Sequence, residues 1–181
     1  MRISRTTPCY YLTSVAKDRL PVFRTDKIKQ IVCDAFDEAR RSGGIMIYAY
    51  VIMIDHTHLI TDSSRTIADT LRFLNGITAK RVLDYLKENN FESSLLKLRE
   101  QTKDRNHKYS LWQHHPNAFT IFGEDMMMQK VNYVHQNPVR AGIVENARDH
   151  RFSSARLWNG SALDDEPLIT DHREIDWRTA A

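Results

Sequence analysis

Residues 50–60 form an apolar run that contains two histidines, His56 and His58, separated only by Thr57. Successive side chains of a β-strand point to opposite faces of the sheet, so residues two positions apart share a face. A strand through this run therefore presents both imidazoles on one face, where they can bind one metal ion. Because the chain has 8 histidines, such a pair can also arise by accident. The pair therefore predicts a metal site only if other residues of the chain provide the further groups that such a site needs.

A second pattern places a tyrosine and an amide, Tyr133 and Asn137, four residues apart just before Pro138. Four residues are about one helical turn, so Tyr133 and Asn137 share a helix face, together with Lys130. Adjacent helix residues point about 100° apart, so Tyr133 need not face the core if Val134 does. A cation, a phenol and an amide beside a metal-binding strand are what a phosphodiester-cleaving site requires. The alternative is an amphipathic tyrosine at the rim of the core.

Taken together, the histidine strand and this helix resemble the single-tyrosine transposases of the HUH nuclease superfamily, most closely the REP-associated tyrosine transposases. The resemblance extends from about Pro8 to Trp158. Each further matching segment is a weak signal by itself, but their order along the chain is fairly specific. These segments are Cys9–Ser14, Leu20–Arg24, Leu111–Gln113 and Phe152–Ser154.

The resemblance implies a metal-dependent transesterification on single-stranded DNA near a hairpin. Tyr133 would attack a phosphate, leaving a 5′-phosphotyrosyl link and a free 3′-OH, while His56, His58 and Asn137 would hold the metal. A phenolate is also a good leaving group, so the step would be reversible. The metal implied is Mg²⁺ or Mn²⁺, although two nitrogens and an amide oxygen also suit Zn²⁺, Ni²⁺ or Co²⁺.

Composition and charge limit the other functions of the chain. With 181 residues, 41% of them apolar and 27% charged, it is expected to form one soluble domain with a substantial core. Its two cysteines provide no disulfide framework, and no segment resembles a signal peptide or a membrane span, so we expect a cytoplasmic, nucleoid-associated protein.

Residues 1–160 carry 24 basic and 17 acidic side chains, a net charge of +7 that suits a phosphate-bearing partner. Residues 161–181 are predicted to form an acidic C-terminal tail, which either covers the body or competes with DNA.

The hydrophobic periodicity predicts an α+β fold. The order β-α-β-β-α-β indicates an antiparallel sheet of four to five strands with helices packed on it, which matches the ferredoxin-like sandwich that the resemblance implies. The histidine strand is expected near the centre of the sheet, with one face buried. The predicted strands are Cys9–Val15, Ile45–Met53, His56–Asp62 and Ala118–Phe122; the helices run from Thr25 or Asp26 to Gly43, from Thr66 to about Glu88, and from Gly123 to a stop at Pro138, and residues 89–110 are predicted to be a helix tail plus a loop.

Basic and aromatic side chains are candidates for DNA contacts, although ordinary solvated or packed positions explain each of them equally well. The cations are Arg72, Lys80 and Arg81 on the second helix, Lys130 and Arg140 beside the site, and Arg2 and Arg5 near the start of the chain; the aromatic residues are Tyr109, Trp112 and Phe119, with burial favoured for Trp112.

Three other histidines are not expected to bind the metal. His114 and His115 are predicted to lie in a solvated loop, and His135 is predicted to face solvent or to cap a neighbour, because it points about 160° away from Asn137. Thr57 departs from the family pattern, in which a bulky apolar residue stands between the histidines, and it is expected to weaken packing on the opposite face.

Two alternative functions use the same scaffold. One is a non-catalytic module that binds hairpins in DNA or RNA. The other is a metal-dependent hydrolase that uses water, although Asp55 and Asp62 are the only carboxylates near the histidines in sequence. The residues leave both a monomer and a homodimer open.

Overall fold

The computed structural model describes residues 2–99, 108–114 and 117–177. Its four strands are β1 (Cys9–Val15), β2 (Ile47–Ile52), β3 (His56–Asp62) and β4 (Asn117–Ile121). Its α-helices are α1 (Asp26–Gly43), α2 (Ile67–Glu88), α3 (Glu92–Leu98), α4 (Glu124–Arg140) and α5 (Ala155–Trp158). Single 3₁₀ turns lie at Lys17–Arg19, Ala147–Asp149 and His172–Glu174.

The four strands form one antiparallel sheet in the order β2-β3-β1-β4. The predicted α+β fold with an antiparallel sheet is therefore confirmed, and β3 occupies one of the two central positions. In its register with β1, His56 lies opposite Val15 and His58 lies opposite Thr13. This register determines which side chains of β1 lie next to the histidines.

Helices cover both faces of the sheet. On one face, α1 and α2 pack on apolar side chains such as Leu12 and Leu59. On the other face, α4 packs on side chains such as Tyr11 and Ile60. The prediction of a single buried face for β3 is therefore wrong: every residue of the strand after His56 is buried, because α4 covers the second face.

The ends of the two long helices agree with their sequence signals. The Thr25 side chain accepts a hydrogen bond from Ile28 N at the start of α1, and Gly44 follows its end with φ 63°, a left-handed conformation that glycine adopts without strain. At the start of α2, Thr66 Oγ1 accepts a hydrogen bond from Asp69 N at 3.1 Å. These caps satisfy backbone groups that the helices leave unpaired.

The predicted stop at Pro138 is wrong, because α4 continues to Arg140. A proline removes one backbone donor and biases the preceding residue against helical geometry. Here the helix closes beyond it, with hydrogen bonds from Ala141 N to Asn137 O and from Ile143 N to Pro138 O. The proline ring is buried, and its packing outweighs the local bias.

The segment after α2 is more regular than a helix tail and a loop. α2 ends near Asn90, whose φ of 55° reverses the chain, and the separate helix α3 follows. Asparagine tolerates this left-handed conformation better than most residues do. Residues 100–107, which belong to the same predicted loop, lie outside the described residues.

The described part of the predicted acidic tail, residues 161–177, packs on the body. The Asp171 carboxylate accepts a hydrogen bond from Ile47 N, and the Asp171 backbone N–H donates to Ile47 O. The same carboxylate also forms an ion pair with Arg40. Arg156 and Glu166 form an ion pair with side chains only 9% and 1% exposed. The segment was expected either to cover the body or to compete with DNA, and the structure shows that its described part covers the body. A domain boundary at residue 160 stays a prediction.

No helix within the described residues is long and apolar enough to cross a membrane.

We expect Thr57→Val to stabilise the protein. Thr57 is fully buried on the face of β3 opposite the histidines, and its hydroxyl has no hydrogen-bond partner among the described residues. A buried hydroxyl without a partner costs about 1–3 kcal/mol, and valine has nearly the same shape. Urea unfolding is expected to show a gain of about 1 kcal/mol or more in the free energy of unfolding.

Thr61→Val is the matched control. Thr61 is equally buried on the same face, but its hydroxyl donates to Asp62 O at 3.2 Å. Its replacement is expected to give no gain. A loss of stability in Thr57→Val would contradict the interpretation that this hydroxyl is unsatisfied.

Candidate active site

Two elements bring the predicted site together on the face of the sheet that α4 covers. Strand β3 contributes His56 and His58, whose ring centroids lie 4.9 Å apart. Helix α4 contributes Tyr133, whose ring centroid lies 5.5 Å from that of His58, with the two planes inclined at 72°. The tyrosine and the histidine pair, 75 or more residues apart in sequence, are therefore direct neighbours in the fold.

His58 lies in the interior of the site. Its Nδ1 is 2.8 Å from Thr13 Oγ1 and 2.9 Å from the Tyr11 hydroxyl, both on the adjacent strand β1. Burial, with the nearby His56 as a second cause, lowers the pKa of His58 to about 3, and a hydrogen bond to the Asn137 side chain opposes this shift. His58 is therefore a neutral imidazole near pH 7, the form that binds a metal.

His56 lies closer to solvent, and its side chain is 18% exposed. Its Nδ1 is 2.5 Å from Asp55 Oδ1. The carboxylate comes from the turn that joins β2 to β3, so the position of the first histidine depends on a residue immediately before its strand.

Tyr133 lies on the exposed side of α4 at 37% exposure, whereas the adjacent Val134 is fully buried. This agrees with the 100° step between neighbouring helix residues. One turn later, the Asn137 amide nitrogen donates to Tyr133 O at 3.2 Å, which leaves the amide oxygen as the atom that could bind a metal. The structure thus places Asn137 beside both the histidine and the tyrosine.

The donor set fits a divalent metal ion. Nδ1 of each histidine is occupied by a hydrogen bond, so Nε2 is the nitrogen left on each ring, and the oxygen of Asn137 is the third donor. Within the described residues, no group of three or more His, Cys, Asp or Glu side chains could hold a metal. A metal at the histidine pair would therefore depend on the amide as well.

The predicted basic residues lie on two different faces. Lys130 Nζ lies over three rings, 5.8 Å from the centroid of Tyr133, 5.7 Å from Tyr11 and 5.0 Å from Phe119. Arg140 Cζ is 5.1 Å from the Tyr133 centroid. These two cations therefore flank the tyrosine.

Three more of the predicted cations lie on α2, which packs on the opposite face of the sheet. Each of them pairs with a carboxylate: Arg72 with Asp69, Lys80 with Asp84, and Arg81 with Glu38. Arg2 and Arg5 are exposed near the start of the chain.

Comparison with known proteins establishes the family. The model of the family described as "Transposase IS200 like" matches residues 6–137. The chain belongs to the IS200-like transposase family. The match includes β3 and extends along α4 as far as Asn137, so all the elements of the site lie within it. The resemblance inferred from the sequence is thus confirmed.

A solved structure of a transposase shows the same fold. A REP-associated tyrosine transposase bound to a REP hairpin superposes with a TM-score of 0.61 at 16% identity, and the match covers 95% of this chain and 90% of the other. A candidate transposase from Deinococcus radiodurans matches at 20% identity, with 72% of this chain and 90% of the other covered and a TM-score of 0.49. No curated protein matches the chain.

Thr13 and Tyr11 are neighbours of the site that the sequence did not reveal. Tyr11 stacks between His58 and Phe119, with centroid distances of 5.5 and 4.9 Å, and meets the Tyr133 ring edge-on at 6.2 Å. Their spacing of two residues indicates a common strand face, but only the register of β1 with β3 shows that this face contacts His58.

The predicted aromatic platforms differ in exposure. Trp112 is buried, as predicted, packs against Phe23 and donates from its indole nitrogen to Asn75 O at 3.0 Å. Phe119 is half-buried in the stack beside the site, and Tyr109 is half-buried as well. His114 is exposed, and His115 lies outside the described residues.

His135 was predicted to face solvent or to cap a neighbour. The first of these expectations is wrong, because the side chain is buried. Its Nε2 lies 2.9 Å from Ser154 Oγ and its ring meets Trp158 edge-on. Met127, Val131 and His135 follow one another at intervals of four, so the apolar stripe of α4 itself indicates an inward position. His135 therefore packs against Ser154 and Trp158 and not with the candidate metal ligands.

We expect the burial of His135 to make stability depend on pH. Desolvation lowers its pKa to about 4 in the folded protein, below the ordinary value near 6.5. As the pH falls, His135 therefore gains a proton in the unfolded chain before it does so in the folded protein. The contribution of the neutral ring to the free energy of unfolding is complete above pH 6.5 and is lost as the pH falls toward 4. For this one group the loss between pH 7 and pH 5 is about 2 kcal/mol.

The measurement compares urea unfolding of the wild type and His135→Gln at these two pH values. Glutamine can still bond Ser154 but does not titrate, so the pH-dependent loss is expected to be smaller in the variant by about 2 kcal/mol. Equal losses in both proteins would refute the assignment.

Proposed function

We propose that this protein is a metal-dependent single-stranded DNA endonuclease and strand transferase that cleaves near hairpins through a 5′-phosphotyrosine intermediate. The observation that carries the proposal is the juxtaposition of the Tyr133 ring with the His58 ring at 5.5 Å, with Asn137 one helical turn after Tyr133 and beside His58. Membership of the IS200-like family supports it. A hairpin-bearing DNA is the proposed partner, in keeping with the REP hairpin bound by the structural neighbour, and the nucleoid is the proposed location.

His56, His58 and Asn137 would hold Mg²⁺ or Mn²⁺ in this proposal. When bound, the ion would neutralise charge on the phosphate oxygens and make phosphorus more electrophilic. The residues around it contribute separately: Asp55 and the β1 hydroxyls hold the rings in place, and the burial of His58 keeps that ring neutral.

Tyr133 would act as the nucleophile. Its oxygen forms a bond to phosphorus, the bond from phosphorus to the 3′ oxygen breaks, the phenol loses its proton and the departing 3′ oxygen gains one. Lys130 and Arg140 lie close enough to the tyrosine ring to stabilise the negative charge of a phosphate bound there. Because the phenolate can leave again, the same residues would serve for rejoining the strand.

The contacts of the nearby carboxylates favour this mechanism over hydrolysis by water. Asp55 binds His56 and Arg19. Asp62, at the opposite end of β3, accepts hydrogen bonds from Met46 N and Ser64 N. Both carboxylates therefore already have structural partners, while the tyrosine beside the histidines is open to solvent.

We expect Tyr133→Phe to abolish formation of a covalent DNA–protein adduct. The wild type and the variant are incubated with hairpin-bearing single-stranded DNA and Mn²⁺ and run on a denaturing gel. Loss of the phenol removes the nucleophile but none of the proposed metal ligands, so DNA binding is expected to persist. A DNA-linked band is expected for the wild type alone.

Tyr11→Phe is the matched control, because Tyr11 is the other tyrosine in contact with His58. It is expected to form an adduct, because the Thr13 hydroxyl still holds His58 Nδ1. An adduct that survives in Tyr133→Phe and disappears in Tyr11→Phe would transfer the role to Tyr11. Binding without an adduct in any protein would support the non-catalytic module, and cleavage without an adduct would support the hydrolase.

We expect the two cations beside Tyr133 to contribute more to DNA affinity than the three on α2. Lys130→Ala and Arg140→Ala are expected to weaken binding of the hairpin substrate and to reduce the slope of log K against log salt by about 0.7 for each lost phosphate contact. The three cations on α2 remain proposed DNA contacts. Their contribution to affinity is expected to be smaller, because a nearby carboxylate already pairs with each of Arg72, Lys80 and Arg81.

Variants are compared by residue type, so that Lys80→Ala is the control for Lys130→Ala, and Arg81→Ala is the control for Arg140→Ala. Fluorescence anisotropy at several salt concentrations measures both the affinity and the slope. If the α2 variants lose as much affinity as the site variants, the DNA path includes the opposite face of the sheet.

A further inference from the structure

Asp55 connects His56 to an arginine. Its Oδ1 is 2.5 Å from His56 Nδ1, and its Oδ2 is 3.1 Å from Arg19 Nη1. The Asp55 side chain is 15% exposed, whereas that of Arg19 is 65% exposed. One carboxylate thus uses both of its oxygens, one toward the site and one toward the protein surface.

The chemistry of this contact determines which nitrogen of His56 is free. A carboxylate oxygen only accepts hydrogen bonds, and a neutral imidazole carries a single N–H. In the neutral ring, the contact with Asp55 therefore requires the proton on Nδ1 and leaves the lone pair on Nε2. A metal needs that lone pair.

His58 is held differently. Its Nδ1 contacts the hydroxyls of Tyr11 and Thr13, and a hydroxyl can either donate or accept. These partners orient the ring without specifying its tautomer. Within the described residues, only His56 of the two histidines has a carboxylate as a hydrogen-bond partner.

The loop after β1 holds Asp55 by its backbone as well as by its side chain. Ala16 N donates to Asp55 O at 2.7 Å, and Phe23 N donates to Ile54 O at 2.9 Å. Between these contacts, Asp18 and Arg19 have φ values of 53° and 52°. Two consecutive non-glycine residues in the left-handed region are unfavourable, and such geometry persists only where the surroundings impose it. Here it directs Arg19 toward Asp55.

We propose that Asp55 is a positioning residue for His56, that it holds the ring in the Nδ1–H tautomer and so leaves the Nε2 lone pair for a metal, and that Arg19 in turn positions Asp55. The proposal rests on the proposed function in one respect, namely that His56 is a metal ligand. An ion pair as exposed as that of Arg19 contributes little to stability by itself, so the contact is expected to act on the site rather than on the fold.

The first test needs no metal. Long-range ¹H–¹⁵N correlation spectra at pH 8 report which imidazole nitrogen carries the proton. His56 is expected to be the Nδ1–H tautomer in the wild type and to shift toward Nε2–H in Asp55→Ala. Asp55→Asn, whose side-chain oxygen can still accept, is expected to lie between them and serves if the alanine variant does not fold. Asp165→Ala, which removes a comparable pair with Arg151 far from the histidines in sequence, is expected to leave the signals unchanged.

The second test measures Mn²⁺ affinity by electron paramagnetic resonance, with thermal unfolding as a check on the fold. Removing a partner of a ligating histidine typically weakens metal binding about 10- to 100-fold. A loss in this range is expected for Asp55→Ala, a smaller loss for Asp55→Asn and Arg19→Ala, and none for Asp165→Ala.

The outcomes separate this inference from the proposed function. If the wild type does not bind Mn²⁺, or if His56→Ala binds it equally well, the metal site of the proposed function fails. If the wild type binds Mn²⁺ but Asp55→Ala has the same affinity, or if His56 keeps its Nδ1–H tautomer without Asp55, the positioning role is overturned while the metal site stands.

Discussion

The packing of α4 on the second face of the sheet is the interaction on which the site depends. Met127, Val131 and Val134 are buried against that face. Burying side chains of this size contributes about 1.5–3 kcal/mol each relative to exposure, so the helix has essentially one way to lie. Because Tyr133 precedes Val134 by one residue, this orientation places the phenol beside His58 and open to solvent.

The two histidines of β3 then experience different surroundings, although they share a strand face. His58 lies beneath α4, and its burial keeps it neutral with hydroxyl partners from β1. His56 lies at the start of the strand near solvent, and its partner is a carboxylate from the preceding turn. A site assembled in this way combines one imidazole held by burial with one held by a charged neighbour.

The described part of the C-terminal segment belongs to the folded body. Asp171 extends the hydrogen bonding of β2 at Ile47 and also binds Arg40 on α1. The Arg156–Glu166 pair is almost fully buried, and Arg156 also donates to the carbonyl oxygens of Arg148, His150 and Arg151. The acidic character of this segment therefore serves partly to pair with cations of the body, which reduces the net positive charge on that side.

The sequence by itself determined the strands, the long helices and the shared faces of His56 with His58 and of Tyr133 with Asn137, because periodicity and capping are local properties of the chain. It did not predict the continuation of α4 beyond Pro138, the burial of His135, or the roles of Tyr11, Thr13 and Arg19 around the histidines. Those features depend on strand register and on which face of the sheet each helix covers. Contacts between residues distant in sequence decide both, so only the tertiary structure brings the phenol, the amide and the two imidazoles to one place.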